Sequence, residues 1–512
     1  MKRLTIRTLA ITVTLTCLAA MPKLCSAAER PIVYAHYMHC YILGGMADLI
    51  GNDQGPLRDV TVAPELWPER ENVDRTWWSA RLAARTQEGL PAVKEDFKLG
   101  ERAGLDAFAL LIGENHLPSS QFAPGMRLAA QAARASKVKL LPDLWGSFAT
   151  LDESGMRRYG QRVKDYMDAY PGAFLSKDGR PIISLGCPLG YGRAHDNYAE
   201  WSHVKPLFDA WGGPGKVYIV LNITWDRGDL TGGWADIVDS YSLWAAVYGW
   251  ADRDPKGVER LASLATEDRK NVAWPVHSGY FGGRKGCESM AETLGVSTFC
   301  DMWRESISRG TAMTQVETWN DFSEDHAITE TNYRGDSLIQ LNRYFADWKH
   351  SGKPPAPSKE QVYLFHHRQL VDAKLTNSTI VAHNDKWHST PSTDYLNVVT
   401  ILKSKAKVAL TDGGQSWTVE APAGFHEWLV YVPSKRIGAG TLKEAWNLGA
   451  GISYPTANAE RSVTVAETIP EGVPSVSVSR MGKTVATLHS RLPISSTGRW
   501  QDLATVGSEL DF

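Results

Sequence analysis

The 512-residue chain is short of the features that mark several large functional classes. It has six cysteines, and no Cys or Cys/His pair has the spacing of a structural zinc site. Beyond the N-terminus, no apolar run is long enough to span a bilayer. There is no low-complexity tract and no Gly-rich phosphate fingerprint after an early strand, and "YFGGRKG" (280–286) lacks Walker spacing. An excess of basic charge is also missing. Residues 1–28 read as a secretory signal: Lys2, Arg3 and Arg7 precede the apolar "LAITVTLTCLAAM", and "CSAAE" offers small residues for cleavage. Without that segment the chain keeps 51 basic and 57 acidic residues, a net charge of −6, which argues against a nucleic-acid partner. The expectation is an exported protein, periplasmic or extracellular, with no integral membrane span. Cys40, Cys187, Cys287 and Cys300 remain in the mature chain, and export permits disulfides. Cys287 and Cys300 are the nearest pair in sequence, but spacing does not give connectivity.

What is abundant is tryptophan, 19 in all. Indoles suit flat sugar faces as well as cores, because the ring is apolar and its N–H wants a partner.

Apolar runs alternate with helical patterns through the first two thirds of the chain. "PIVYAHYM" (31–38), "DAFALLIG" (106–113), "VKLLPDLW" (138–145), "RPIISLG" (180–186), "KVYIVLNITW" (216–225), "ADIVDSYSLW" (235–244), "VAWPVHSGY" (272–280) and "AMTQVETW" (312–319) are eight strand candidates. They are continuous rather than alternating, as expected of parallel strands buried on both faces. Eight βα units over 29–349 predict an α/β fold, a (β/α)8 TIM barrel. A Pro-rich linker follows at 350–360. Beyond it, period-2 segments with turn pairs such as Asp412-Gly413 predict a C-terminal antiparallel β-sandwich over 361–512.

In such a barrel the chemistry gathers at the C-terminal ends of the strands. Those ends offer His36, Asp143, Trp145, Asn222, Trp225, Asp239, Trp244, His277, Tyr280, Trp319 and Asn320 as substrate-binding candidates, with Asp321 and Glu324 as the catalytic pair. Carboxylates, aromatics and amides with few basic groups do not suit phosphate. They suit glycoside hydrolysis, in which one carboxyl donates a proton to the leaving oxygen and another activates water or attacks carbon. Trp145, Trp225, Trp244 and Trp319 would line the sugar groove. A competing reading of Asp321 with Glu324 is a capped helix N-terminus. No metal and no organic cofactor is expected, and the partner is a polysaccharide or oligosaccharide.

The blocks "VYAHYM", "AGLDAFALLIG", "VKLLPDLW" and above all "VETWNDFSEDHAI" resemble glycoside hydrolase family 71, the endo-1,3-α-glucanases or mutanases, of which this would be a bacterial member. The resemblance runs over roughly residues 31–345 and implies a barrel followed by a β-sandwich. It also implies inversion at the anomeric carbon, and functional roles for Asp321, Glu324, Asp143 and His36. Two departures stand out: Leu111 occupies a position where the family has Asn, and "FSEDH" replaces "YGESH". Another glycan on the same scaffold, an α-mannoside or a sulfated polysaccharide, and a non-catalytic glycan-binding protein are the alternatives. The sequence gives no oligomeric state.

Overall fold

The computed structural model describes residues 30–43, 87–146, 148–186, 199–223, 233–243, 263, 266–282, 289–321, 325–331, 333–375, 392–432, 460–498 and 503–512. The expected signal segment, Trp225, Trp244, Glu324, Cys187 and Cys287 lie outside the described residues.

Eight parallel strands close into a barrel: β1 (Ile32–Tyr37), β2 (Ala107–Gly113), β3 (Lys139–Trp145), β4 (Arg180–Gly186), β5 (Tyr218–Ile223), β6 (Ser240–Leu243), β7 (Asn271–His277) and β8 (Met313–Glu317). Each pairs with the next, and β8 returns to β1 with Ile32 opposite Met313 and Ala35 opposite Val316. All eight strands fall within the runs predicted from sequence, give or take a residue.

The runs look uniformly apolar because the two faces bury against different partners. Val33, Ala35 and Tyr37 on β1 point outward into the layer shared with the helices, as do Phe108, Leu110 and Ile112 on β2. Ile32, Tyr34, Ala107, Ala109, Leu141, Ile182, Tyr218, Val220, Ala273 and Met313 fill the barrel interior. The outer helices include α1 (Leu90–Arg102), α2 (Ala123–Arg134), α3 (Glu153–Ala169), the one-turn α4 (Trp201–Val204), α5 (Ser297–Ser308) and α6 (Ser337–Ser351). The Asp152 side chain caps α3 by accepting the Gly155 N–H at 2.6 Å. Gly352 ends α6 in the left-handed region, φ 73°, where a Cβ would be penalised, and the Pro-rich linker begins there.

The C-terminal region contains β9 (Gln361–His367), β10 (Gln369–Leu375), β11 (Tyr395–Leu402), β12 (Ala406–Asp412), β13 (Gln415–Ala421), β14 (Gly424–Tyr431), β15 (Arg461–Val465), β16 (Ser475–Arg480), β17 (Lys483–His489), β18 (Ser495–Gly498) and β19 (Thr505–Asp511). One sheet runs β15-β14-β11-β9-β19 and a second β13-β12-β16-β17, while β10 and β18 form a short pair. Both larger sheets contribute to one apolar core, with Leu364, Val398, Trp428 and Val430 from the first and Val408, Leu410, Val476 and Val478 from the second. The first sheet is covered on its other face too. There Tyr363, Phe365, Val399, Ile401 and Phe425 join the outer core of the barrel. Hence β11 is buried along its whole length, whereas β12, in the outer sheet, alternates.

Residues 31–512 accordingly form one compact unit. Arg461 bridges Glu427 of the sheet to Asp301 of α5 at 2.6 and 2.8 Å, and Asn397 accepts the Val296 N–H at 3.1 Å.

Candidate active site

Strand periodicity selects which side chains enter the barrel mouth. Counting in twos from the packed interior, β1 ends on His36, β3 on Asp143 and Trp145, β5 on Asn222, β7 on His277, and β8 on Gln315 and Glu317. Apart from Trp145, which is partly exposed, all are buried.

Two hubs organise these groups. Asp143 is the first. One carboxylate oxygen lies 3.1 Å from His36 Nδ1 and accepts the Trp145 Nε1–H at 2.5 Å. The other lies 3.5 Å from Asn222 Nδ2, which donates to Ser184 Oγ at 3.0 Å. The Trp145 ring lies over Gly186, where a Cβ would stand 2.3 Å from it. Gln315 is the second hub. Its carbonyl oxygen accepts from the Tyr34 and Ser242 hydroxyls, both at 2.7 Å, and its amide donates to Glu317 Oε1 at 3.1 Å. Burial raises the Tyr34 phenol well above its usual range, so it remains a hydrogen-bond donor. Such interlinked buried groups rigidify one another, because each would be costly to leave unmade.

Beyond Glu317 the chain turns sharply; the Glu317–Thr318 peptide is cis. The Thr318 hydroxyl accepts the Asp321 N–H at 2.9 Å, and the Asp321 carbonyl accepts the His326 N–H at 3.1 Å. Asp321 is therefore buried in a tight hairpin at the barrel mouth, 16 residues before α6 starts, which removes the helix-cap reading. Burial first, and then the Asp321 charge, push the Cys40 thiol up. Cys40 and Cys300 are free thiols.

His277 stacks on His326 with ring centroids 4.0 Å apart. Burial pushes His277 down to about 3 and holds His326 well below the ordinary imidazole range, so both rings are neutral at pH 7. With Glu317 they form a group whose donor atoms lie within 4.8 Å of one another, close enough for a metal ion. The hydrogen bonds do not favour ligation. His277 Nδ1 accepts the Gly279 N–H at 3.0 Å, which puts its ring proton on Nε2 and leaves that ring no lone pair for a metal. The trio fits a wall that hydrogen-bonds hydroxyl groups better than a metal cage.

Three expectations from sequence need correction. Trp319 is not a groove residue: it is fully buried against Phe108 on the helix side, at a centroid distance of 5.0 Å. Asn320 is a strap rather than a sugar ligand. Its amide accepts from Met38 N at 2.7 Å and donates to Met38 O at 3.3 Å, tying the end of β8 to the end of β1. Asp239 precedes β6 and so sits at the opposite end of the barrel. There it pairs with Arg180 at 2.7 Å and accepts the Ile219 N–H at 2.9 Å. Tyr280 is buried at the start of a short ribbon after β7. The mouth gathers His36, Asp143, Trp145, Asn222 and His277. Tyr34, Ser184, Ser242, Gln315, Glu317 and His326 were missed. Polar residues at every second position of β8, Gln315 and then Glu317, were the readable signal.

A family model described as glycosyl hydrolase family 71 matches residues 83–444. The chain belongs to glycosyl hydrolase family 71. It is thus a glycoside hydrolase, and the polar mouth is where such an enzyme would hold its carbohydrate. No curated protein matches it. Among solved structures it is similar to a family 99 endo-α-mannosidase from Bacteroides thetaiotaomicron (13% identity, 62% of this chain and 97% of that one, TM-score 0.42). It is also similar to a β-glucuronidase from Bacteroides uniformis (10%, 79% and 44%, 0.39) and an endocellulase from Pyrococcus horikoshii (12%, 49% and 86%, 0.34).

Proposed function

We propose that this family 71 enzyme is an exported endo-1,3-α-glucanase that inverts the anomeric centre, with Asp321 as general base and Glu324 as general acid. The observation that carries the reading is the Asp321 hairpin: a buried carboxylate at the end of the last barrel strand, beside a ring of buried hydrogen-bonding groups. A neutral glycan needs such a ring, in which His36, Asp143, Asn222 and His277 meet hydroxyls and Trp145 meets a sugar face.

In the reaction, Glu324 gives its proton to the glycosidic oxygen as the bond from that oxygen to C1 breaks. Asp321 takes a proton from the water whose oxygen bonds to C1 from the opposite face. Preorganised dipoles around the ring stabilise the developing positive charge at C1 without reorganising.

Product profiles on a panel of α- and β-linked glucans, with the first-formed anomer followed by NMR, test the reading. Release of β-anomeric oligosaccharides from α-1,3-glucan is expected. Asp321→Asn and Glu324→Gln should each lower turnover by roughly a hundredfold or more with folding intact. Near-full activity of folded Asp321→Asn on polymer would remove it from the mechanism, and retained anomeric configuration would remove inversion.

A further inference from the structure

We propose that Arg334 is a positioning residue: by gripping Asp325 it holds the acidic hairpin at the barrel mouth in its working geometry. The proposal rests on the reading of Asp321 as a catalytic carboxylate. Arg334 itself touches no reacting atom; it acts through the backbone of the hairpin.

The hairpin is closed at its base by backbone bonds, Thr318 N to His326 O at 3.2 Å and Ile328 N to Thr318 O at 3.0 Å, besides the Asp321–His326 bridge. Its return depends on Asp325, which has φ +50°, a left-handed conformation that costs a non-glycine residue, Asp less than most, and so gains from outside support. Arg334 provides that support with two arms. Nη2 lies 3.0 Å from the Asp325 carboxylate and Nη1 donates to the Asp325 carbonyl at 3.3 Å. Both side chains are withdrawn from solvent, at 2% and 11% exposure, so little water screens the pair. A planar, two-armed guanidinium fixes direction as well as distance, which an ammonium does not.

The base of Arg334 is itself anchored. Its N–H donates to Thr331 Oγ1 at 3.1 Å, and its carbonyl accepts from both the Ser337 N–H and hydroxyl. On either side, β19 of the C-terminal region holds the segment: Gly507 N donates to Tyr333 O at 2.9 Å, and Glu509 accepts the Asp336 N–H at 3.2 Å. Arg491 keeps Glu509 in place at 3.2 Å. A chain of contacts thus runs from the last strand of the protein through Arg334 to the acidic hairpin. The C-terminal sheet has a part in catalysis by this route, as the footing of the clamp.

Arg334→Lys, Asp325→Asn and the double variant test this, with kcat, KM and Tm measured on soluble glucan oligosaccharides. Asn tolerates the left-handed region, so Asp325→Asn removes the charge while keeping the turn. It decides the question even if Arg334→Lys fails to fold. Because a displacement near 1 Å is costly to an oriented reaction, each folded single variant is expected to lose about tenfold or more in kcat with KM within about twofold. The double variant should be no worse than the weaker single. Folded Asp325→Asn with kcat within about twofold of the parent, or losses that multiply in the double variant, would overturn the clamp. Asp321→Asn separates the two levels. If it is inactive while Asp325→Asn is normal, only the clamp fails; if it turns over normally, the catalytic reading fails and the clamp with it.

Discussion

Lowering the pH should destabilise this barrel through His277 in particular. The folded protein keeps the His277 ring neutral down to about pH 3, because burial disfavours the imidazolium. In the unfolded chain the same ring takes a proton near pH 6.5. Between those values the unfolded state holds one more proton, so the His277 contribution to stability is intact above pH 6.5 and is lost progressively as pH falls towards 3. Between pH 7 and 5 the loss from this one residue is about 2 kcal/mol. His366, pushed down to about 4 by burial, acts in the same direction, whereas Asp412, raised to about 6 by burial, opposes it. Measuring the difference against a variant isolates His277 from both. Asn is the replacement of choice, since its Oδ1 can stand where Nδ1 accepts the Gly279 N–H. Urea unfolding followed by tryptophan fluorescence at pH 7, 6 and 5 supplies the free energies. His277→Asn should lose about 2 kcal/mol less than the parent over that range, whatever its offset at pH 7. Parallel profiles for the two proteins would show that the ring titrates normally in the folded state, and the account of a neutral wall at the barrel mouth would be wrong.

Trp319→Ala should cost about 3–5 kcal/mol of stability by leaving a cavity against Phe108, with glycan affinity of the folded fraction unchanged. Trp145→Ala should do the reverse, weakening oligosaccharide binding by roughly 1 kcal/mol in calorimetry with little change in Tm; swapped outcomes would reverse the two assignments. Gly186→Ala would put a methyl 2.3 Å from the Trp145 ring, so it should reproduce the Trp145→Ala binding defect, and undiminished affinity would count against Trp145 as a sugar platform. Asp239→Asn should cost about 1–2 kcal/mol through the Arg180 pair and leave KM within about twofold. A large KM effect would mean that the far end of the barrel communicates with the mouth.

The eight barrel strands were legible because each must bury both faces, which leaves continuous apolar runs separated by helical patterns and set off by punctuation such as Gly352 and the prolines after it. The two-residue alternation was also written in the chain: Asp143 two positions before Trp145 enter the mouth together. Residue type and strand end alone, however, do not say which end a side chain occupies or what it spends its hydrogen bonds on. Asp239 has the right chemistry, but it stands just before the start of a strand rather than at its end, and Arg180 pairs with it there. Asn320 and Trp319 sit in the acidic block, yet the turn after Glu317 sends one to the Met38 backbone and the other into the helix layer. Glu317 and Gln315 went unread for the converse reason, since inside an apolar strand they become interpretable only when Tyr34 and Ser242, distant in sequence, are brought beside them. Periodicity is a local property, governed by backbone geometry and burial, and the sequence by itself determines it. The partner of each buried polar group is a long-range property, decided only when barrel closure sets β8 against β1 and the C-terminal sheet against the segment that bears Arg334.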